Sequence, residues 1–225
     1  MTRSVRPGRP WGRAVTGAPD VEVTGDDAAL AAIIAARPGA RVRFHPEESD
    51  LARAVGLTGM TPGSGPREEE LELPVDAIAL DGGRGMAVNA VTLGVAPDRL
   101  RWTSGTQPVE VVIDGRARFA GRASSVVVAS GQYLRGADLV PRGHPGDGRL
   151  EVQVYELRRG ERRGMRRRLG SGAHLPHPRI HQLAGCRIEV RAPGRALRLE
   201  VDGRAAGRVS ALGLEVAPAA VWVMV

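Results

Sequence analysis

The sequence is poor in the features on which several protein classes depend. Its 225 residues include a single cysteine, Cys186, so no disulfide can form within the chain. No apolar run approaches the roughly 20 residues that a membrane-spanning helix needs. Residues 1–20 also lack the apolar centre of a signal peptide. These absences predict a cytoplasmic location, with peripheral attachment to a membrane as the alternative.

Aromatic residues and lysine are also scarce. Aromatics make up 3% of the chain and apolar residues 42%, so the core must be built from valine, leucine, isoleucine and alanine. All 32 basic residues are arginine, and the formal net charge is +7. Such a bias is typical of GC-rich codon usage. The charge nevertheless favours anionic partners, including phospholipid head groups.

Residues 20–57 predict a small β-α-β-α block. Val21–Val23 and Arg41–Phe44 are candidate strands. Between them, Asp26–Arg37 carries apolar residues at helical spacing behind two aspartates, which favour a helix N-terminus. A second helix is expected from Pro46 to Gly56. This arrangement is typical of the start of an α/β domain.

The rest of the chain predicts almost only strands. Short alternating segments are separated by turn signals such as Asp114-Gly115 and Asp202-Gly203, which favours a β-sandwich or barrel. The candidate strands are Leu71–Asp81, Gly85–Leu93, Val109–Ile113, Ala117–Phe119, Ser125–Ala129, Leu150–Leu157, Arg187–Arg191, Leu197–Val201, Arg204–Val209, Leu214–Val216 and Ala220–Val225. The predicted class is therefore α+β, with a small Rossmann-like α/β part followed by an all-β sandwich. The predicted parts are a flexible segment at 1–19, the α/β part at 20–57, a Gly/Pro/Ser-rich linker at 58–70 and the sandwich at 71–225.

A Gly/Pro-rich loop at 130–149 is flanked by the strand candidates Ser125–Ala129 and Leu150–Leu157. Alternation on both sides predicts two strands of one antiparallel sheet. Within the loop, Asp147 lies between two glycines, where a carboxylate is free to reach a metal or a polar ligand. A simple tight turn is the alternative.

Arginine fills seven of the eleven positions from 158 to 168. They are Arg158, Arg159, Arg162, Arg163, Arg166, Arg167 and Arg168. One interpretation is a binding surface for anionic lipid or phosphate. The other is a solvated, mobile hairpin tip. Because the run contains no aromatic residue on which bases stack, we expect no nucleic-acid partner.

Several segments occur together in a characteristic order. They are SDLARAVGL at 49–57, MAVNAVTLGV at 86–95, SGQYLRGA at 130–137, DGRLEV at 147–152 and Asp202-Gly203. In order and spacing they resemble the diacylglycerol kinase and sphingosine kinase-like lipid kinases, the bacterial branch in particular. The resemblance implies an N-terminal nucleotide domain and a β-sandwich that helps form the lipid site. It also implies transfer of the γ-phosphoryl group of ATP, with Mg²⁺, to a lipid hydroxyl.

The same resemblance implies site residues. Gly25, Asp27 and Ser49 match nucleotide-binding positions, whereas Asp147 and Asp202 match positions expected to hold Mg²⁺. Arg204 occupies the position of the proposed family base and cannot accept a proton.

The two glycine loops of the family are also altered in this sequence. The segment 25–29 keeps one glycine, and Asp26, Glu47 and Glu48 are additional acids. Together with Asp27 they place four carboxylates where a triphosphate is expected, and they would repel it unless Mg²⁺ is bound.

The sequence therefore predicts a degenerate, pseudokinase-like member of the lipid kinase family that acts as a lipid- or partner-binding module. The first alternative is an active, ATP- and Mg²⁺-dependent lipid kinase. The second is a basic scaffold at a membrane surface that acts through 158–168. A homo-oligomer or a partner chain remains open.

Overall fold

The computed structural model describes residues 11–15, 17–57 and 70–225. The predicted linker at 58–70, apart from Glu70, and most of the predicted flexible segment therefore lie outside the described residues. The helices are α1 (Asp27–Ala36), α2 (Asp50–Ala54) and α3 (Glu161–Arg168), with single 3₁₀ turns at Pro97–Arg99 and Leu169–Ser171. The strands are β1 (Arg13–Val15), β2 (Val21–Gly25), β3 (Arg41–Pro46), β4 (Glu70–Leu80), β5 (Met86–Ala87), β6 (Ala90–Gly94), β7 (Gln107–Ile113), β8 (Arg116–Ala123), β9 (Ser125–Ala129), β10 (Tyr133–Leu134), β11 (Ala137–Asp138), β12 (Leu150–Tyr155), β13 (Ile180–Gly185), β14 (Arg187–Arg191), β15 (Leu197–Val201), β16 (Arg204–Val209) and β17 (Ala211–Met224).

The N-terminal block has the predicted β-α-β-α order, but its second helix is shorter than expected, because Pro46 belongs to β3 and α2 begins only at Asp50. Strands β2 and β3 are parallel, and α1 connects them because a parallel pair needs a crossover. Leu30 and Ile34 of α1 are fully buried beneath the helix, together with Leu51 of α2. The apolar face of each helix thus provides the core of this α/β part.

The N-terminal block is joined to the rest of the chain through one sheet. Strand β3 pairs in parallel with the C-terminal strand β17, with Arg41 opposite Trp222. β17 also pairs antiparallel with β4, and the resulting nine-stranded sheet continues through β14 and β7 to β8. The boundary near residue 70 stays a prediction, but this sheet crosses it.

A second, six-stranded sheet completes the sandwich in the order β13-β12-β9-β6-β15-β16. The antiparallel pairing of β9 with β12 confirms the strands predicted on either side of the loop at 130–149. One apolar cluster joins the two sheets, for example through Val111 and Ile188 of the large sheet and Val126 and Val152 of the small one. The α+β class with a β-sandwich is thus confirmed.

Four local expectations differ from the structure. β17 is one strand where two were predicted, because a bulge between Ala217 and Val221 accommodates Pro218 and a left-handed Ala219. The strand expected at Gly85–Leu93 is divided into β5 and β6. β13 had no counterpart among the predicted strands. Residues 13–15 of the segment predicted to be flexible form β1, which pairs with β4.

No helix in the described ranges is long and apolar enough to cross a membrane.

Candidate functional site

The predicted nucleotide-binding residues lie where the loop after β2 meets the start of α2. Asp27 is buried, and it accepts a hydrogen bond from the Ser49 hydroxyl and others from the backbone N–H groups of Asp50 (3.2 Å) and Leu51 (3.3 Å). Ser49 in turn accepts from the Ala52 N–H at 2.8 Å and caps α2. Asp27 and Ser49 are therefore brought together, and their hydrogen bonds hold the two loops to each other.

Gly25 is the third predicted nucleotide-binding residue. Its φ of +137° belongs to the region that favours glycine, and a Cβ at this position would lie 3.1 Å from the Ala29 Cβ. Its carbonyl accepts a hydrogen bond from the Glu47 N–H at 2.9 Å. Gly25 thus allows β2 to turn directly into α1.

Asp202 closes the opposite side of this region, on the turn between β15 and β16. Its carboxylate accepts three backbone hydrogen bonds, from Val88 and Asn89 (both 3.0 Å) and from Ala90 (2.9 Å). Both oxygens are therefore used to hold the break between β5 and β6. Burial raises the pKa of Asp202 to about 6, although the three N–H donors act in the opposite direction.

Asp27 is buried and Asp202 is half-buried, and the charge of Asp202 acts on Asp27. Burial is the main reason that the pKa of Asp27 rises to about 7, and the hydrogen bond from Ser49 lowers it. The negative charge of Asp202 adds to the increase. The region therefore contains two carboxyl groups whose protonation changes close to neutral pH.

Asp26 occupies the N-terminus of α1, where phosphate binds in many nucleotide sites. Its carboxylate accepts from the N–H groups of Ala28 and Ala29, each at 3.1 Å, so it is the N-cap of the helix. The other carboxylate oxygen accepts a hydrogen bond from the guanidinium of Arg204. Two positions at which the sequence departs from the family pattern, Asp26 and Arg204, are thus paired with each other.

The four acids predicted to face a nucleotide are not equivalent in the structure. Asp26 is bound to the helix N-terminus and to Arg204, and Asp27 is buried, whereas Glu47 and Glu48 are exposed. The repulsion that the sequence suggested between a nucleotide and four crowded carboxylates is therefore limited to the local effect of Asp26 and Asp27.

A second contact joins the N-terminal block to the loop at 130–149. The Asp50 carboxylate accepts from the backbone N–H groups of Arg135 and Gly136, the latter at 2.7 Å. The Arg135 guanidinium forms salt bridges with Asp98 (2.6 Å) and Glu200 (3.0 Å). The sequence does not reveal this network, since it shows only Gly136 as a turn residue and the left-handed conformation of Arg135 is seen only in the structure.

The predicted Mg²⁺ ligands Asp147 and Asp202 do not fit a shared site. Asp147 accepts from the Arg149 N–H at 3.0 Å, and its titratable neighbours include His144, Arg149, Glu151 and the buried Asp76. Both oxygens of Asp202 are already hydrogen-bonded to the backbone. In the described part of the chain, no three His, Cys, Asp or Glu side chains are grouped so that they could hold a metal.

The arginine run begins just before α3 and continues through that helix, so it is not the hairpin tip of the alternative interpretation. Six of its seven arginines are exposed: Arg158, Arg159, Arg163, Arg166, Arg167 and Arg168. Arg162 differs because it is buried, and its guanidinium donates to the carbonyls of Arg101 (2.9 Å), Ser104 and Leu157 (3.3 Å). Arg162 thus has an internal role and does not belong to the exposed basic face.

Comparison with solved structures places this geometry in a known fold. A diacylglycerol kinase of Bacillus anthracis str. Sterne is similar with a TM-score of 0.67 and 17% identity, over 91% of this chain and 75% of that one. Another structure from the same strain, described as a candidate diacylglycerol kinase, gives 0.71 and 16% over 91% and 77%. Yeast NADH kinase in complex with NADH gives 0.53 and 11% over 91% and 61%. At these identities the similarity establishes the fold.

Sequence comparison defines the family. Among curated protein sequences, none matches this chain. The model of the YegS C-terminal NAD kinase beta sandwich-like domain matches residues 93–225, which is more than half of the chain. The chain therefore belongs to the family of the YegS C-terminal NAD kinase beta sandwich-like domain, which confirms the lipid-kinase-like family that its motifs predicted.

Proposed function

We propose that this protein is a lipid-kinase-family member that does not transfer phosphoryl groups and uses its β-sandwich to bind lipid or a partner. The observation that carries the proposal is the position of Asp26. Its carboxylate occupies the N-terminus of α1 and is itself held by Arg204. A nucleotide phosphate would have to displace this side chain from two backbone N–H groups and from a cation.

Charge makes that displacement unfavourable. A phosphate placed 4 Å from a carboxylate is repelled by about 1 kcal/mol per charge pair in water, and by several times more where solvent is partly excluded. Arg204 attracts a phosphate only after it has separated from Asp26. The same arginine cannot serve as the base that accepts a proton from a lipid hydroxyl, because it stays protonated. Asp26 and Arg204 thus oppose both the binding of a nucleotide and the removal of a proton from a lipid hydroxyl.

The sandwich, in contrast, has no such defect. Its core is continuous between the two sheets, and the motif segments after residue 86 are anchored by hydrogen bonds. Asn89, for example, donates to the Tyr133 carbonyl at 2.6 Å, and Ser130 donates to the Val88 carbonyl at 3.0 Å. A stable sandwich beside a blocked nucleotide position supports a binding role.

The proposal is tested by incubating the protein and Mg²⁺ with γ-labelled ATP and long-chain diacylglycerol, ceramide or a sphingoid base. We expect no labelled lipid above the level given by the Asp202→Asn variant. Labelled product that depends on Asp202 would refute the proposal. The unlabelled lipids are then tested for binding by co-sedimentation, which measures the retained function independently.

An active lipid kinase is the second candidate, and one observation favours it. Asp27 and Asp202 are close in space, and their pKa values near 7 and 6 suit a general base at neutral pH. This candidate requires nucleotide binding, so millimolar Mg-ATP should raise the melting temperature. An unchanged melting temperature, with the Asp27→Asn variant as control, would exclude it.

A further inference from the structure

A cavity of about 620 Å³ on the β-sandwich is lined by an excess of positive charge. It lies between the loop that follows β6 and the hairpin of β15 and β16, and neither Asp26 nor Asp27 is among its lining residues. Its arginines are Arg99, Arg101, Arg195, Arg198 and Arg208, and Glu200 is the only acid in its lining. Glu200 is itself shared by salt bridges to Arg99 and Arg135.

The arginines of the cavity lack compensating charge. In the described part of the chain, Arg101, Arg195, Arg198 and Arg208 form no salt bridge, and all four are exposed. The Arg208 guanidinium donates to the Ala196 carbonyl, which carries no formal charge. Arg198 and Arg208 also lie directly opposite each other on β15 and β16. Like charges at such a cross-strand position are unfavourable, so an anion between them would stabilise the hairpin. The cavity is therefore suited to an anionic ligand.

The rim of this cavity continues into the exposed face of α3. Arg162, buried beneath that face, donates to the carbonyls of Arg101 and Ser104 and so fixes the loop between α3 and the cavity. Trp102 stands in the same loop with 69% of its surface exposed. An exposed tryptophan between two groups of arginines is typical of a protein surface that lies in a membrane interface.

We propose that the cavity holds the phosphate of an anionic phospholipid head group, while Trp102 and the exposed arginines of α3 rest on the surrounding bilayer. A guanidinium group offers a planar set of donors that matches phosphate oxygens. This proposal rests on the lipid-binding role proposed above and names the surface at which the lipid would bind. It does not depend on whether the protein turns over ATP.

The test is co-sedimentation of the intact protein with vesicles of phosphatidylcholine alone or of an equimolar mixture with phosphatidylglycerol. We expect binding to the mixture only. Since each arginine near an anionic surface contributes about a fivefold increase in affinity, Arg198→Gln with Arg208→Gln should weaken binding at least about 25-fold. Trp102→Ala should also weaken it. The matched control is Arg116→Gln with Arg118→Gln, which removes the same charge from exposed positions on β8 and should have a smaller effect.

Several results would overturn the proposal. One is equal weakening by the cavity pair and the control pair, which would indicate unspecific attraction by net charge. Another is binding to neutral vesicles, or binding of a DNA duplex as tight as that of the anionic vesicles. A calorimetric signal with inorganic phosphate but none with vesicles would assign the cavity to a free anion instead. Arg208→Gln alone, on an exposed side chain, provides a folded variant if the double substitution lowers the melting temperature.

Discussion

The buried carboxyl group of Asp27 predicts an unusual dependence of stability on pH. Burial raises its pKa from 3.8 to about 7. Because the folded pKa lies above the unfolded pKa, the folded state keeps the proton longer than the unfolded chain does. The stability from this difference is fully present below about pH 4 and is lost as the pH rises towards 7. The protein should therefore be less stable at pH 8 than at pH 5.

The size of this loss of stability follows from the shift in the pKa of Asp27. Each pKa unit corresponds to about 1.4 kcal/mol. Between pH 5 and pH 7 the unfolded chain has ionised at Asp27 and the folded chain has not, so this group alone removes about 3 kcal/mol from the free energy of unfolding. Asp76 and Asp202, whose pKa values burial raises to about 6, act in the same direction with about 1 kcal/mol each.

The assay is urea unfolding at pH 5 and at pH 8 for the native sequence and for the Asp27→Asn variant. Asparagine keeps an oxygen that can accept from Ser49 but cannot ionise. We expect the variant to lose about 3 kcal/mol less than the native protein over this pH range. Glu48→Gln, a change at an exposed acid, should leave the pH dependence as it is. An identical loss of stability in the native protein and in Asp27→Asn would refute the reasoning.

Further predictions concern the sandwich and α3. A Cβ at Gly94, which has a φ of +99°, would lie 2.5 Å from the Ser124 carbonyl oxygen, so Gly94→Ala should cost more than about 2 kcal/mol in urea unfolding. Gly164→Ala in α3 meets no atom within 4 Å and should instead stabilise by about 0.5 kcal/mol; destabilisation there would contradict the helix. Arg162→Met leaves buried carbonyls without a donor and should lower stability by about 3 kcal/mol. Arg166→Met, at an exposed side chain, should change it by less than about 1 kcal/mol, and equal effects would argue against the internal role of Arg162.

Much of the fold follows from local patterns. Alternation identified β12, β14 and β15, because every second residue of these strands packs into the sandwich core. β9 was recognisable instead as a short apolar run, and both of its faces are buried. The α1 segment was recognisable from the spacing of Leu30 and Ile34 and from the acids before it. By contrast, β17 could not be predicted as one strand, because the bulge at Ala219 depends on its N–H reaching the distant Asp76 carboxylate at 2.8 Å.

The candidate site was less accessible, because its contacts join residues far apart in sequence. The pairing of Asp26 with Arg204 spans 178 positions, and the bonds of Asp202 to residues 88–90 span 112 or more. Local sequence showed each residue as a departure from a motif or as a turn. Only tertiary structure shows that Asp26 and Arg204 neutralise each other. Arg162 is likewise indistinguishable from its six neighbouring arginines until its burial is known.

We infer that Asp26 and Arg204 together block the place where a nucleotide phosphate would bind. Calorimetric titration of Mg-ATP into the intact protein tests it most directly, alongside the Asp26→Gly, Arg204→Glu double variant. We expect no saturable heat for the native protein. Any binding of Mg-ATP should appear only in the double variant. Saturable binding of Mg-ATP by the native protein that Asp27→Ala abolishes would show that Asp26 and Arg204 do not block this position.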